Sequence, residues 1–226
     1  MLAAEQSVRE QTAAFGPKLA QLDLAEANAE LEGKSPQEII RWAFELGRRT
    51  ITTTTFGDHS AVLLHMVSRI QYNAKILWVD TGYNTSATYR FANKLINELD
   101  LNIDVFTPDI TTARLNVMMG GIPEVDDPMH EEFTRQVKLD PFKRATDTLK
   151  PEVWLTGIRR DQTDFRKSLD IVTRSKEGFI KVAPLLNWIE QDMDAYLAQH
   201  QLPNEPDYFD PTKAHETREC GLHTRF

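Results

Sequence analysis

From Thr50 onward, short runs of β-branched and apolar residues alternate with segments whose apolar positions recur at helical spacing. The runs predict strands over Thr50–Thr54, Lys75–Val79, Asn102–Phe106, 153–156 and Ile180–Val182. The intervening segments predict helices over Ser60–Ile70, 86–99 and 142–149, and Asn187-Trp188-Ile189-Glu190 reads as the start of another, with Asn187 as its cap. Such alternation is the signature of βαβ units and an open, mostly parallel α/β sheet, whose ligands sit at the carboxyl ends of the strands. Ahead of it, residues 18–32 are rich in Ala, Leu and Glu, and Ser35-Pro36-Gln37-Glu38 carries a cap, a first-turn proline and a capping-box glutamate. Residues 1–49 therefore read as a helical extension on a domain spanning 50–202. Residues 120–140 contain Gly120-Gly121, prolines and several acids, and read as a loop or short irregular helix. After Leu202, Pro203, Pro206 and Pro211 break any helical period, and 203–226 reads as a mobile tail.

Composition narrows the classes. The 226 residues, 41% hydrophobic, suffice for one sizeable core. A net charge of −8 argues against general nucleic-acid binding, which needs excess Lys and Arg to displace counterions. Residues 1–11 are interrupted by Glu5, Arg9 and Glu10, and no later stretch has the apolar length of a membrane span, so a cytoplasmic location is expected. The one cysteine, Cys220, cannot form an internal disulfide, and no Cys/His cluster has zinc or iron–sulfur spacing. Cys220 is left as an inert residue, an intermolecular bridge or a nucleophile.

Four segments could carry chemistry. The first runs Thr52-Thr53-Thr54-Thr55-Phe56-Gly57-Asp58-His59-Ser60, a strand entering a hydroxyl-rich turn and then a helix. The free amides at such a helix start favour an anion, although alone the segment reads as an ordinary capped turn. The second is Asp80-Thr81-Gly82-Tyr83 at the end of the next strand, where Asp80 can accept from a ribose or base, or simply cap a turn. The third is Gly157-Ile158-Arg159-Arg160-Asp161-Gln162, followed by Arg166. Residues 158–181 hold seven basic side chains against four acids inside an acidic chain. Paired guanidiniums after a strand suit a ligand with several anionic groups, whereas by itself the stretch would pass for a solvated basic face. The fourth is Arg218-Glu219-Cys220-Gly221-Leu222-His223, which sets a thiol beside groups that favour the thiolate and outside any hydrophobic run.

In this order the four segments resemble the phosphoadenylyl-sulfate (PAPS) reductase family, a branch of the adenine nucleotide alpha-hydrolase-like fold. The terminal Glu-Cys-Gly-Leu-His matches the family's E-C-G-[LI]-H, Thr-Phe-Gly its S-[ST]-F-G turn, residues 80–83 its D-T-G-Y, and residues 157–162 its G-[LI]-R-R-x-Q. The resemblance covers roughly residues 50–223. It implies helices on both faces of the sheet and a two-step reaction in which Cys220, with His223 and Arg160 as further catalytic groups, attacks the sulfonate sulfur to leave an S-sulfo-cysteine. Reduced thioredoxin would then release sulfite. The resemblance further implies substrate contacts from Thr53, Thr54, Thr55, Phe56, Gly57, Asp80, Thr81, Gly82, Tyr83, Lys138, Gly157, Arg159, Arg160, Gln162 and Arg166. It implies no bound cofactor: iron–sulfur members carry extra paired cysteines, and this sequence has none. A homodimer is expected on the same ground.

The sequence departs from the family in two places. Ser86-Ala87 stand where D-T-G-Y is followed by Pro and Glu, and residues 208–217 lack a G-D-x-x-[ST]-[ST] element. Adenylyl sulfate as substrate, or a nucleotide-binding paralogue with altered chemistry, therefore stay open beside PAPS reduction. The ATP-pyrophosphatases of the same fold carry S-G-G-x-D-S in the first turn. Phe56 and His59 replace a Gly and the Asp of that loop, so bulk at Phe56 restricts backbone approach to a pyrophosphate.

Overall fold

A computed structural model of the chain describes residues 22–213. In chain order these form helices α1 (Leu24–Leu31) and α2 (Pro36–Glu45), strand β1 (Thr50–Thr54), α3 (Ser60–Ile70), β2 (Lys75–Val79), α4 (Ser86–Glu98), β3 (Asn102–Phe106) and α5 (Thr112–Met119). There follow α6 (His130–Thr134), a π-helical turn (Arg135–Leu139), α7 (Asp140–Leu149), β4 (Val153–Leu155), a 3₁₀ turn (Arg160–Gln162), α8 (Asp164–Lys167), β5 (Val172–Arg174), β6 (Ile180–Val182) and α9 (Glu190–His200).

The strands lie side by side in the order β3-β2-β1-β4-β6-β5, and every pairing is parallel except β5 with β6. The chain moves outward from β1 through β2 to β3, then crosses back to place β4 on the other side of β1. The order thus reverses between β1 and β4, and a crevice opens beyond their carboxyl ends. Side-chain alternation decides which helix covers which face. Ile51, Leu77 and Trp154 pack with Phe142 and Ala145 of α7 on one face. Ile76, Trp78, Val153 and Leu155 pack on the other with buried residues of α3, α4 and α9, and with Ala27, Leu31, Ile39, Ile40 and Ala43 of the two helices before β1. The expected α/β architecture with helices on both faces is what forms.

Local chemistry explains the element ends. Ser35 and Glu38 close the capping box: the Glu38 amide donates to Ser35 Oγ at 3.3 Å and the Ser35 amide to Glu38 Oε2 at 2.8 Å. Gly120, in the left-handed region at φ 74°, ends α5, so the double glycine marks a helix stop. Helix α5 itself was not foreseen, because it buries only Leu115 and so shows no apolar stripe. Strand β5 was missed for its shortness and its charged end. It is held from outside by α1: Asn28 Nδ2 donates to the Val172 carbonyl at 2.8 Å and Asn28 Oδ1 accepts from its amide at 2.9 Å. The last helix begins at Glu190, with the Ile189 amide donating to Asp192 Oδ2 at 2.9 Å, and Asn187 serves a different purpose.

Of the two readings of 120–140, a loop or a short irregular helix, the loop holds as far as Met129 and the irregular helix after it. From His130 it is helical and runs into α7 through the π-turn, where the Asp140 amide reaches back to the Arg135 carbonyl. Pro141 lacks an amide for the preceding turn, and the widened turn accommodates that loss without stopping the helix. From Pro203 to Lys213, the last described residue, the chain has neither helix nor strand, in keeping with its prolines. Residues 204–213 are nonetheless anchored, with Asn204 Oδ1 accepting from the His59 amide at 2.8 Å and Thr85 Oγ1 donating to the Asp207 carbonyl at 3.2 Å. Among the described residues, no helix is long and apolar enough to cross a membrane.

Candidate active site

A cavity of about 300 Å³ occupies the crevice at the carboxyl ends of β1 and β4, within the range of small-ligand sites. Its walls come from the turn after β1 (Thr53, Thr54, Thr55, Gly57, Asp58, His59, Ser60), from Thr81 and Asn84 after β2, and from Thr156, Gly157 and Arg159 after β4. Gln162 and Arg166 close one side, Lys138 comes in from the π-turn, and Tyr208, Asp210 and Lys213 arrive from the C-terminal segment. Leu77, Val79, Phe142 and Trp154 add apolar floor, which suits a flat ring as well as anionic groups.

The turn after β1 is shaped by two residues in the left-handed region, Phe56 at φ 51° and His59 at φ 60°. For side-chain-bearing residues this conformation persists only where packing enforces it. Phe56 is fully buried, its ring edge-on to Trp78 at 4.9 Å, and its amide donates to Thr54 Oγ1 at 3.1 Å. His59 is buried between two carboxylates, with Nδ1 3.0 Å from Asp58 Oδ2 and Nε2 2.8 Å from Asp194 Oδ1. This bridge ties the turn to α9. Ser60, the first residue of α3, faces the cavity with a buried Oγ that has no hydrogen-bond partner among the described residues. An unsatisfied hydroxyl at a helix N-terminus, facing a cavity, is a donor waiting for an acceptor.

The cations are held by their own second layer of contacts. Arg159 is buried, its Nε donating to Asp161 Oδ1 at 3.0 Å. Gln162 Oε1 accepts from the Arg159 amide at 3.1 Å and from Arg166 Nη1, so one side chain fixes both arginines. Arg166 is 6% exposed, and Lys138 is 4% exposed with its ammonium on Asp210 Oδ2 at 2.5 Å. Burial pushes the Asp210 carboxyl up, but the Lys138 charge and hydrogen bonds from Lys138 and Thr212 outweigh it, leaving the group below the usual carboxylate range.

The structure thus gathers Thr53, Thr54, Thr55, Gly57, Thr81, Lys138, Gly157, Arg159, Gln162 and Arg166 around one space. Other expected contacts lie elsewhere. Phe56 faces the core. Asp80 accepts from the Gly82 amide at 2.9 Å, Asn84 Nδ2 at 2.8 Å and Tyr89 Oη at 2.9 Å, and therefore organises the β2 turn. Burial first, and then that bond, push Tyr89 up to about 12. Gly82, at φ 80°, abuts Thr112, and Tyr83 packs on Phe133 while donating to Asn116 Oδ1 at 2.7 Å. Arg160 does not line the cavity: Nε and Nη2 donate to the Leu169 carbonyl at 3.2 and 2.8 Å, and Nη1 to Asn187 Oδ1. It braces the loop that presents Arg159. Cys220 and His223 lie outside the described residues. Asn84, Tyr208, Asp210 and Lys213 also line the cavity though no expected contact falls on them, and Ser60, inside the first candidate segment, is a further contact. Only Ser60 had a local signal, its position at the start of the helix after the hydroxyl-rich turn.

Comparison with known proteins bears on what this geometry belongs to. The family model for the phosphoadenosine phosphosulfate reductase domain matches residues 49–210. A phosphoadenosine 5′-phosphosulfate reductase from Synechococcus sp. is 37% identical over 187 residues, covering 81% of this chain and 79% of that protein. The chain belongs to the PAPS reductase family.

The crystal structure of PAPS reductase from Candida auris, a phosphate complex, superposes with a TM-score of 0.71 at 25% identity, over 84% of this chain and 91% of that one. A Candida glabrata FMN adenylyltransferase in complex with ATP, with a TM-score of 0.54 at 14% identity over 86% of this chain and 62% of that one, shares the fold alone. The architecture is therefore the adenine nucleotide alpha-hydrolase-like one, and the cavity lies at the switch point of its sheet. Among the described residues, no group of three His, Cys, Asp or Glu side chains is placed to hold a metal ion.

Proposed function

We propose that the protein reduces PAPS to sulfite and adenosine 3′,5′-bisphosphate in the cytoplasm, as a step of sulfate assimilation, with reduced thioredoxin as electron donor. The observation that carries this reading is the convergence of Lys138, Arg159 and Arg166 with the hydroxyl-rich turn in one cavity, in a family member whose sequence carries Glu219-Cys220-Gly221-Leu222-His223. Buried guanidinium and ammonium groups give anionic oxygens charge-assisted hydrogen bonds, and they neutralise charge that builds on a departing phosphate. That is what attack by a thiolate on an anionic sulfonate requires.

In the first step the Cys220 thiolate forms a bond to the sulfonate sulfur, and the bond from that sulfur to the phosphate oxygen breaks. The electron pair leaves with adenosine 3′,5′-bisphosphate, and Cys220 carries an S-sulfo group. In the second, one thioredoxin thiolate attacks the Cys220 sulfur and expels sulfite with the bonding pair, and thioredoxin's other thiol resolves the mixed disulfide. Thioredoxin is oxidised and the sulfonate sulfur reduced by two electrons. We assign delivery of the thiol to the segment 203–226, and give His223, three positions after Cys220 in sequence, the role of favouring the thiolate. Homodimer assembly belongs to the same reading by family resemblance.

The test is sulfite release from PAPS with thioredoxin and its reductase, comparing wild type with Cys220→Ser, alongside intact-mass analysis after PAPS without reductant. Wild type should turn over and gain a sulfonate mass that Cys220→Ser lacks. A folded wild type that binds adenosine 3′,5′-bisphosphate but neither releases sulfite nor gains mass would refute the chemistry. Running adenylyl sulfate beside PAPS identifies the substrate.

A further inference from the structure

The end of the described chain lies in the cavity. Asp210 Oδ2 accepts from Lys138 Nζ at 2.5 Å, and Asp210 Oδ1 accepts from the Thr212 amide at 3.0 Å and the Thr212 hydroxyl at 2.7 Å. Thr212 Oγ1 in turn accepts from Lys138 Nζ at 3.2 Å. The carboxylate is thus held by an ammonium, a hydroxyl and an amide, the same donor types a site uses for a phosphate or sulfate oxygen. Both charges are buried, and a buried ion pair is a poor source of net stability because desolvation offsets its attraction. Its position explains it better, since Lys138 is one of the cations that the PAPS reading assigns to the ligand. A ligand anion reaching that ammonium would meet the buried Asp210 carboxylate as a like charge. The two anions therefore compete for the Lys138 charge.

We propose that Asp210 is an internal stand-in for the ligand's anion, and that ligand binding exchanges one for the other on Lys138 and lifts residues 208–213 off the site. The exchange rests on the reading of the cavity as an anion site for PAPS. Asn204 stays bonded to the first turn, through the His59 amide and Asp58, so the movement is confined to the chain after it. That chain continues in sequence to Cys220. Asp210 is a positioning residue: it keeps the Lys138 ammonium aimed until a better-paired anion displaces it.

Calorimetry with adenosine 3′,5′-bisphosphate and, separately, inorganic sulfate tests the exchange on wild type and Asp210→Asn. Removing the competing charge should tighten binding of both probes by about tenfold, a gain that mere structural damage does not produce. Equal or weaker binding by a folded Asp210→Asn overturns the proposal. Hydrogen exchange on wild type needs no variant: the Thr212 and Lys213 amides, bonded to Asp210, should exchange faster when the probe is added. Unchanged or slower exchange under saturating sulfate overturns the proposal even if the variant does not fold. If sulfate produces both effects and the bisphosphate binds neither protein, the exchange stands and the nucleotide reading falls.

Discussion

Gly57→Ala probes the contact between the first turn and the C-terminal segment. Gly57 does not occupy the left-handed region, so backbone strain is not what demands glycine there. A Cβ added to it would stand 2.8 Å from Tyr208 Cγ, 2.9 Å from Cδ1 and 3.3 Å from Cβ. These atoms lie near the Tyr208 backbone, and rotating the ring cannot clear them. Either the turn or the segment around Tyr208 must move. Overpacking of this kind costs about 1–3 kcal/mol. Tyr208→Ala removes the two nearest atoms and leaves a contact that a shift of a few tenths of an ångström relieves. The alanine at position 57 should therefore cost less in that background, with a coupling of about 0.5–3 kcal/mol. Urea unfolding of wild type, both single variants and the double variant measures it, with unchanged m-values as evidence that only stability has moved. If Gly57→Ala costs the same with and without the Tyr208 ring, glycine is required there for another reason and the close approach is not the constraint.

Arg166→Ala should weaken adenosine 3′,5′-bisphosphate binding by about tenfold to a hundredfold, the loss expected for a buried charge-assisted contact; an unchanged dissociation constant by calorimetry removes Arg166 from the ligand. Asp210 also predicts an acid-limb effect. Its carboxyl lies below the ordinary range when folded, so its contribution is complete above the unfolded value of about 3.9 and is lost as pH falls through the folded value. Below about pH 4, wild type should lose stability more steeply than Asp210→Asn in urea titrations, and parallel slopes would contradict the pairing with Lys138.

What could be read from the sequence was whatever is encoded locally. The Thr-rich run, the alternating strands and the Ser35–Glu38 capping box are short-range patterns, and they fold as expected. The parallel sheet follows from strand–helix alternation, and its C-terminal edge explains why three motifs far apart in sequence meet. What stayed hidden depends on partners distant in the chain. Nothing near Arg160 announces that Leu169 and Asn187 hold its guanidinium, whereas Arg159 next to it lines the cavity. Asp80 looks like a ligand acceptor until the Asn84 and Tyr89 donors are seen on it. Helix α6 and the π-turn were obscured by acids and a proline that usually mark loops, and that unusual turn is what carries Lys138. The anchoring of 204–213 could not be inferred from its composition, because Asn204, Tyr208 and Asp210 are fixed by His59, Gly57 and Lys138.

The amide of Asn28 answers both backbone groups of Val172 at the free border of the sheet, much as another strand would. A bare border of that kind is a template on which a neighbouring molecule can add itself. By occupying it with a side chain from a helix, the protein withholds its β5 margin from chain-to-chain stacking. The helix before the sheet thereby shields the Val172 backbone from strand addition, a service separate from anything that happens in the cavity at the other end of the strands.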